Sequence, residues 1–283
     1  PRSAAFWLVG TVASFTTMAV AGRGLSAAFD TFEILAWRSL VGLPMVVALL
    51  LWSDGPGAFR PVRPDLHAVR NVIHFSAQNL WFFGIATIPL AQLISIEFTS
   101  PIWTALLAPL LLGEALTKRK LGAAFLGFAG VLAIAQPGVA PLDWGHLAGL
   151  GAAIGFALTN MTTRRLARYQ PETTILFWMT LSQAAMGLAF AIPGGFPLPP
   201  PELVPWTILV GIVGLTAHFC LTKALARAPA SVVAPMDFAR LPAVALAGFV
   251  LYAEPLGWAL AAGAGLILAG NVLNLRARAK SRN

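Results

Sequence analysis

An α-helix needs about 20 consecutive apolar residues to cross a bilayer, and this sequence supplies one such run after another. Ten are readable, near 4–22, 31–52, 67–88, 89–113, 118–136, 144–164, 172–193, 203–224, 229–252 and 255–275. Short turn or charge signals separate them: Arg23-Gly24, Ser53-Asp54-Gly55-Pro56-Gly57, Gln136-Pro137-Gly138, Pro193-Gly194-Gly195 and Pro199-Pro200-Pro201. The third and fourth runs meet at Ile88-Pro89, and the eighth and ninth at Ala228-Pro229, with almost no loop. Inside lipid, backbone polar groups must be satisfied within the protein, which leaves helices or a closed barrel. Barrel strands alternate apolar and polar residues, and these runs do not. The expected fold is an all-α polytopic membrane protein with ten transmembrane helices.

Composition agrees. Of 283 residues, 58% are hydrophobic and 11% charged, against about a quarter charged in soluble proteins. A single soluble core cannot hide that much apolar surface. Ten spans also leave no room for a nucleotide-hydrolysing module. The patterns of an intramembrane serine protease (Gly-x-Ser-x-Gly), a zinc enzyme (His-Glu-x-x-His) or a phosphate-binding loop do not occur. Neither an enzyme nor a cofactor is expected. One cysteine, Cys220, gives no intramolecular disulfide and no metal framework.

The net charge of +8 could suggest nucleic acid, but in so apolar a chain basic residues mark cytoplasmic loops. With the N-terminus inside, the inner segments hold Arg2; Arg60, Arg63 and Arg70; Lys118, Arg119 and Lys120; Arg164, Arg165 and Arg168; Lys223 and Arg227; and Arg276, Arg278, Lys280 and Arg282. Only Arg23 falls outside, and Arg38 and Arg240 fall within spans. The expected topology is N-in, C-in, in the cytoplasmic (inner) membrane. Arg2 and Ala21-Gly22 flank the first run as they would a secretory signal, but the internal repeat requires that run as a span.

The offset that carries Pro89 onto Pro229 also carries Glu97 onto Asp237, Phe98 onto Phe238, Glu114 onto Glu254, Leu116 onto Leu256, Ala129 onto Ala269 and Gly130 onto Gly270. Apolar matches are cheap in such a chain. The proline and the acids carry the argument. Residues 1–137 and 138–283 then form two repeats of five spans each. Five is odd, so the second repeat is inverted relative to the first. Inverted repeats mark secondary transporters whose substrate site lies at the interface of the halves.

Specific motifs follow. Thr99-Ser100-Pro101-Ile102-Trp103-Thr104-Ala105-Leu106-Leu107-Ala108 leads into Leu110-Leu111-Leu112-Gly113-Glu114, then Lys118-Arg119-Lys120-Leu121-Gly122 and Gly127-Phe128-Ala129-Gly130-Val131. The second half has Ala228-Pro229-Ala230-Ser231-Val232-Val233-Ala234-Pro235 and Ala253-Glu254. Over essentially its whole length the chain resembles the EamA-type branch of the drug/metabolite transporter superfamily. Within it, the chain is most similar to YddG-type exporters of aromatic and other neutral amino acids. Ala253-Glu254 departs from the commoner Gly-Glu pair, and Pro255 can begin the last helix. Both Glu114 and Glu254 read as helix-end residues at a solvated boundary.

A charge inside a span needs a partner or a function. Arg38 and Glu97 lie about 10 and 12 Å from the outer side, at 1.5 Å per residue, so a salt bridge between them is expected, either gating or simply packing. In the second repeat Arg38 maps near Phe177-Trp178, while Asp237 and Arg240 share a helical face. The third run is the most polar, with Asn71, His74, Ser76, Gln78, Asn79 and Trp81. His74, Gln78 and Trp81 share one face, which lipid would penalise. They are candidate cavity residues with Asn79, Ser100, Trp103, Phe15, Asn160, Trp178, Gln183 and His218, the last alternatively a packed core histidine. Trp37 is a further aromatic candidate. Trp7, Trp52, Trp144, Trp206 and Trp258 lie near span ends and read as an interfacial belt.

This expected lining is aromatic and neutral-polar, without a cluster of Lys or Arg, so phosphorylated substrates fit it less well. Free amino acids fit both the lining and the resemblance, and the expected function is their export by alternating access. A carrier of drug-like cations is the alternative within the class; a channel or intramembrane enzyme lies outside it. The expected partners are an amino-acid substrate and the lipid bilayer, with no nucleic acid and no obligate protein partner.

Overall fold

The computed structural model describes residues 2–112, 116–136, 143–225, 227 and 237–280, leaving aside the side chains of 2–4, 112, 225 and 276–280. The helices are α1 Arg2–Leu25, α2 Thr31–Ser53, α3 Pro64–Thr87, α4 Leu90–Glu97, α5 Ser100–Leu112, α6 Lys118–Ala135, α7 Trp144–Leu166, α8 Glu172–Ala191, α9 Val204–Leu225, α10 Arg240–Tyr252 and α11 Trp258–Lys280. Among the described residues six segments are long and apolar enough to cross a membrane: Ala5–Leu25, Thr31–Ser53, Leu90–Leu111, Glu172–Gly194, Val204–Ala224 and Trp258–Leu275. Helices α3, α6 and α7 have 24, 18 and 23 residues but carry more polar or charged groups. The described part of the ninth run is the shorter apolar helix α10. Glu114 and the segment Ala228–Pro235 lie outside the described residues.

Local chemistry sets the helix ends. Asp30 and Glu33 form a reciprocal capping box at α2, both bonds 2.8 Å, satisfying two otherwise orphaned amides. Asp143 caps α7 at the Gly145 amide, 2.6 Å. The fourth run, continuous in the sequence reading, is broken at Phe98-Thr99 into α4 and α5. Pro101 has no N–H to offer the Glu97 carbonyl. From α11, Asn271 Nδ2 donates to the freed Phe98 carbonyl at 2.7 Å and Asn274 Nδ2 to the Pro101 carbonyl at 2.9 Å. The ninth run turns at Phe238-Ala239 before α10, and the rings of Phe98 and Phe238 lie 4.4 Å apart.

The most extensive pairings are α1 with α9, α3 with α7, α2 with α8 and α6 with α11. Further contacts join α2 to α9, α3 to α8, α7 to both α4 and α5, α1 to α10, and α4 to α10. Exchange each helix for its counterpart in the other half: α1 for α7, α2 for α8, α3 for α9, the α4–α5 pair for α10, and α6 for α11. These pairings then map onto themselves. A continuous apolar core runs through Met18, Phe82, Ile85, Leu93, Ile96, Val244 and Ile267. Large apolar side chains such as Leu110, Phe125 and Leu246 face outward.

The basic loops gather at one end, called here the basic end. There Thr173 Oγ1 donates to Asp54 at 2.6 Å, Thr174 Oγ1 to the Ala58 carbonyl at 2.8 Å, and Arg165 Nη2 to the Leu111 carbonyl at 2.5 Å. The far end is closed by Glu254, which was expected to be solvated and is instead 9% exposed. It accepts from Arg23 Nη2 at 2.9 Å and from the Leu90 amide at 2.8 Å. Burial pushes its carboxyl above the ordinary range, and the Leu90 and Arg23 contacts offset part of that rise. The boundary rule failed here because Glu254 folds back beneath α10 instead of facing water.

Candidate substrate site

Helix α3 carries a polar stripe along its whole length. His67, Arg70, His74, Gln78 and Trp81 recur every three or four residues, and all are buried. From the basic end, His67 meets Gln170. Arg70 donates to Thr163 Oγ1 at 2.8 Å, Asn71 Oδ1 at 3.0 Å and Met179 Sδ at 3.6 Å. Asn71 Nδ2 bridges to α8 at the Trp178 carbonyl and Ser182 Oγ, both 3.0 Å. Gln78 and Gln183 each turn an amide oxygen to Arg38 Nη1, at 2.6 and 3.1 Å. Arg38 lies flat against Gly214 of α9, where any Cβ would overlap the guanidinium.

Midway along the stripe His74 faces His218, ring centroids 6.0 Å apart. Phe156 lies 5.9 Å from His74, and Phe15 lies 5.6 Å from His218. Both ring nitrogens of His74 and Nε2 of His218 are buried without a protein partner. Buried polar groups in proteins are usually hydrogen-bonded, and these nitrogens are free to take a partner from outside the chain.

Beyond the histidines sits the ion-pair cluster. Arg240 Nη2 contacts Glu97 Oε1 at 2.8 Å and Asp237 Oδ2 at 3.7 Å. Its guanidinium lies between the rings of Phe15 and Phe98, 4.7 Å from each. Trp81 Nε1 donates to the second Glu97 oxygen at 2.7 Å.

The expected Arg38–Glu97 salt bridge is not formed. Equal depth did not make the two residues neighbours, because Gln78 and Gln183 take up Arg38 while Glu97 faces α3 and α10. The cross-helix ion pair is Arg240–Glu97, and the expected intrahelical contact to Asp237 is the longer one. The expected lining also lacked clustered arginines. Arg70, counted with the inner loops, is instead a buried α3 residue 5% exposed.

Other candidates fall elsewhere. Ser100 is buried with its hydroxyl unpartnered. Asn79 Nδ2 bonds its own helix at the Phe75 carbonyl, 2.9 Å. Trp103 packs edge-on against Phe128 of α6, centroids 5.1 Å apart. Trp178 Nε1 reaches the Phe59 carbonyl at 3.0 Å, toward the basic end. Trp37 stacks on Phe196 at 4.8 Å, and Asn160 is exposed. Arg70 and Phe156 were missed. Arg70 lies one turn from His74 on the same stripe, and that spacing was the available signal.

The family model of the EamA-like transporter family matches this chain twice, over residues 2–136 and 143–276. A protein named riboflavin transporter from Rhizobium johnstonii is 30% identical over 96% of this chain and 87% of its own. Another of that name from Brucella anthropi is 25% identical over 95% and 97%. A protein named S-adenosylmethionine uptake transporter from Rickettsia felis is 23% identical over 88% and 84%. One protein of known crystal structure superposes over the full length of both chains with a TM-score of 0.67 at 20% identity, a likeness of fold.

Proposed function

The chain belongs to the EamA-like transporter family, and from that premise we propose that this membrane transporter carries a planar aromatic metabolite past the His74–His218 pair by alternating access. The observation that carries the reading is the pair itself. Two imidazoles with unpartnered buried nitrogens lie beside the rings of Phe15 and Phe156. Aromatic faces suit a flat ring system, and the free nitrogens suit its polar edge. Riboflavin has both properties and is the first substrate to try, as the names of similar proteins suggest.

The framework of this reading is ten spans in two inverted halves, 1–137 and 138–283, with both termini in the cytoplasm and the protein in the inner membrane. The self-mapping helix pairings support two equivalent halves, and the basic loops support the orientation. Such a pair of halves presents a central site to each side in turn.

Export of aromatic and neutral amino acids is the second reading. Asp237 Oδ1 is buried and unpartnered, and it could accept from a substrate ammonium. Counterflow into liposomes containing the purified protein tests both readings. Riboflavin, aromatic amino acids, S-adenosylmethionine and a cationic dye are offered in turn, with and without a proton gradient. Saturable riboflavin counterflow supports the first reading. Counterflow of amino acids alone transfers the assignment to the second, and flux of the dye alone overturns both.

A further inference from the structure

We propose that the His74–His218 site takes its substrate as an anion, with Arg38 and Arg70 holding a carboxylate or phosphate group attached to the aromatic ring. The proposal rests on the reading of this pair as the transport site and adds the charge class of what binds there.

Among the described residues three arginines are buried in the core, and they are not equivalent. Arg240 has Glu97 and Asp237 beside it. Arg38 has only the amide oxygens of Gln78 and Gln183. Arg70 has only a hydroxyl, an amide oxygen and a thioether. Among the described residues no carboxylate lies within ion-pair distance of either. Neutral oxygens solvate a guanidinium without cancelling its charge. A buried cation left in that state is costly, and the cost is removed when a ligand brings the counter-charge.

The placement agrees. On α3, Gln78 lies one turn from His74 toward the far end, and Arg70 one turn toward the basic end. On α9, Gly214, against which Arg38 lies, is one turn from His218. The imidazole pair therefore sits between the two uncompensated guanidiniums. Four buried nitrogens in this group lack partners: Arg38 Nε, both of His74, and Nε2 of His218. A neutral imidazole has one N–H, so each histidine can give an oxyanion one donor and Arg38 Nε a third, while the remaining His74 nitrogen is an acceptor. Phe15 packs on His218 and Phe156 on His74, so an anion bound by these nitrogens is carried on an aromatic body.

Binding to the purified protein in detergent tests this without relying on flux. Thermal stabilisation is titrated with matched ligands: riboflavin against riboflavin 5′-phosphate, indole against indole-3-acetate, and inorganic phosphate alone. The expected result is half-maximal stabilisation at about tenfold lower concentration for the anionic member of at least one pair. The favoured pair tells phosphate from carboxylate. Arg38→Gln and Arg70→Gln should each weaken the anionic member of the pair more than its neutral partner, and Arg38→Lys should retain much of the preference. A merely structural arginine would weaken both members alike. Equal binding of both members of each pair, no binding by any of them, or a preference that survives both Gln variants overturns the proposal. Riboflavin counterflow without anion preference would sink this inference and leave the transport reading standing. Anion preference without counterflow of any candidate would do the reverse.

Discussion

Removing Arg240 strands two partly buried carboxylates, whereas removing Arg38 strands none. Breaking a buried pair from one side costs about 3–5 kcal/mol. Arg240→Ala should therefore lower the melting temperature of the detergent-solubilised protein well below that of Arg38→Ala, and Glu97→Gln should fall between them. Equal melting temperatures for the two arginine variants would contradict the pairing. Glu254 obeys the opposite logic. Its carboxyl is raised by burial, so its charged form is the penalised one. The folded protein holds this proton more tightly than the unfolded chain does. That contribution is present in acid and is lost as pH rises through the raised value. Glu254→Gln should accordingly melt no lower than the parent at pH 8, and any advantage should vanish as pH falls below the ordinary carboxylate range. A loss of stability at pH 8 would make the Arg23 ion pair the dominant effect. Residue by residue, the shared face of His74, Gln78 and Trp81 on α3 was legible because periodicity on one helix is local information. The partner of Arg38 was hidden, since it depends on how α2, α3, α8 and α9 are rotated about their axes.

Helices pack in lipid through small residues that let backbones approach, and α6 with α11 is the clearest case. A Cβ on Gly130 would lie 2.6 Å from the Gly263 carbonyl, and one on Gly270 would lie 2.8 Å from the Ala123 carbonyl. Backbone cannot yield as a side chain can, so Gly130→Ala should destabilise by about 1–3 kcal/mol. Gly265→Ala meets nothing within 4 Å and should be neutral, or gain up to about 1 kcal/mol from helix propensity. Melting temperatures of the two variants, falling for the first only, check the packing. The Gly130–Gly270 correspondence was visible as a repeat match, and their role in this crossing was not. The break at Phe98-Thr99 was equally hidden, because Pro101 within an apolar run reads as a tolerated proline. At the interruption Asn271 on α11 satisfies the freed Phe98 carbonyl and Asn274 adds a bond to the Pro101 carbonyl, and those residues are remote in sequence.

At the scale of the whole molecule, each end is tied in the same way. At the far end Arg23, in the last turn of α1, reaches Glu254 just beyond α10. At the basic end Arg165, in the last turn of α7, reaches the Leu111 carbonyl near the end of α5. Since α1 corresponds to α7 and α10 to the α4–α5 pair, the two ties are counterparts, and each joins one half to the other. A carrier that alternates must release one tie while keeping its counterpart. Locking either should therefore stop transport. In a Cys220→Ser background, the pair Arg23→Cys and Glu254→Cys can be bridged by a bis-methanethiosulfonate linker long enough to replace the lost side chains, as can Arg165→Cys with Leu111→Cys. Counterflow of the transported substrate should fall to background after cross-linking at either end and return after reduction. Both cross-linked forms should still bind ligand from the end left free, as thermal stabilisation would report. Flux that persists with one end locked would mean that the ties do not move, and that substrate crosses by a path open to both sides at once.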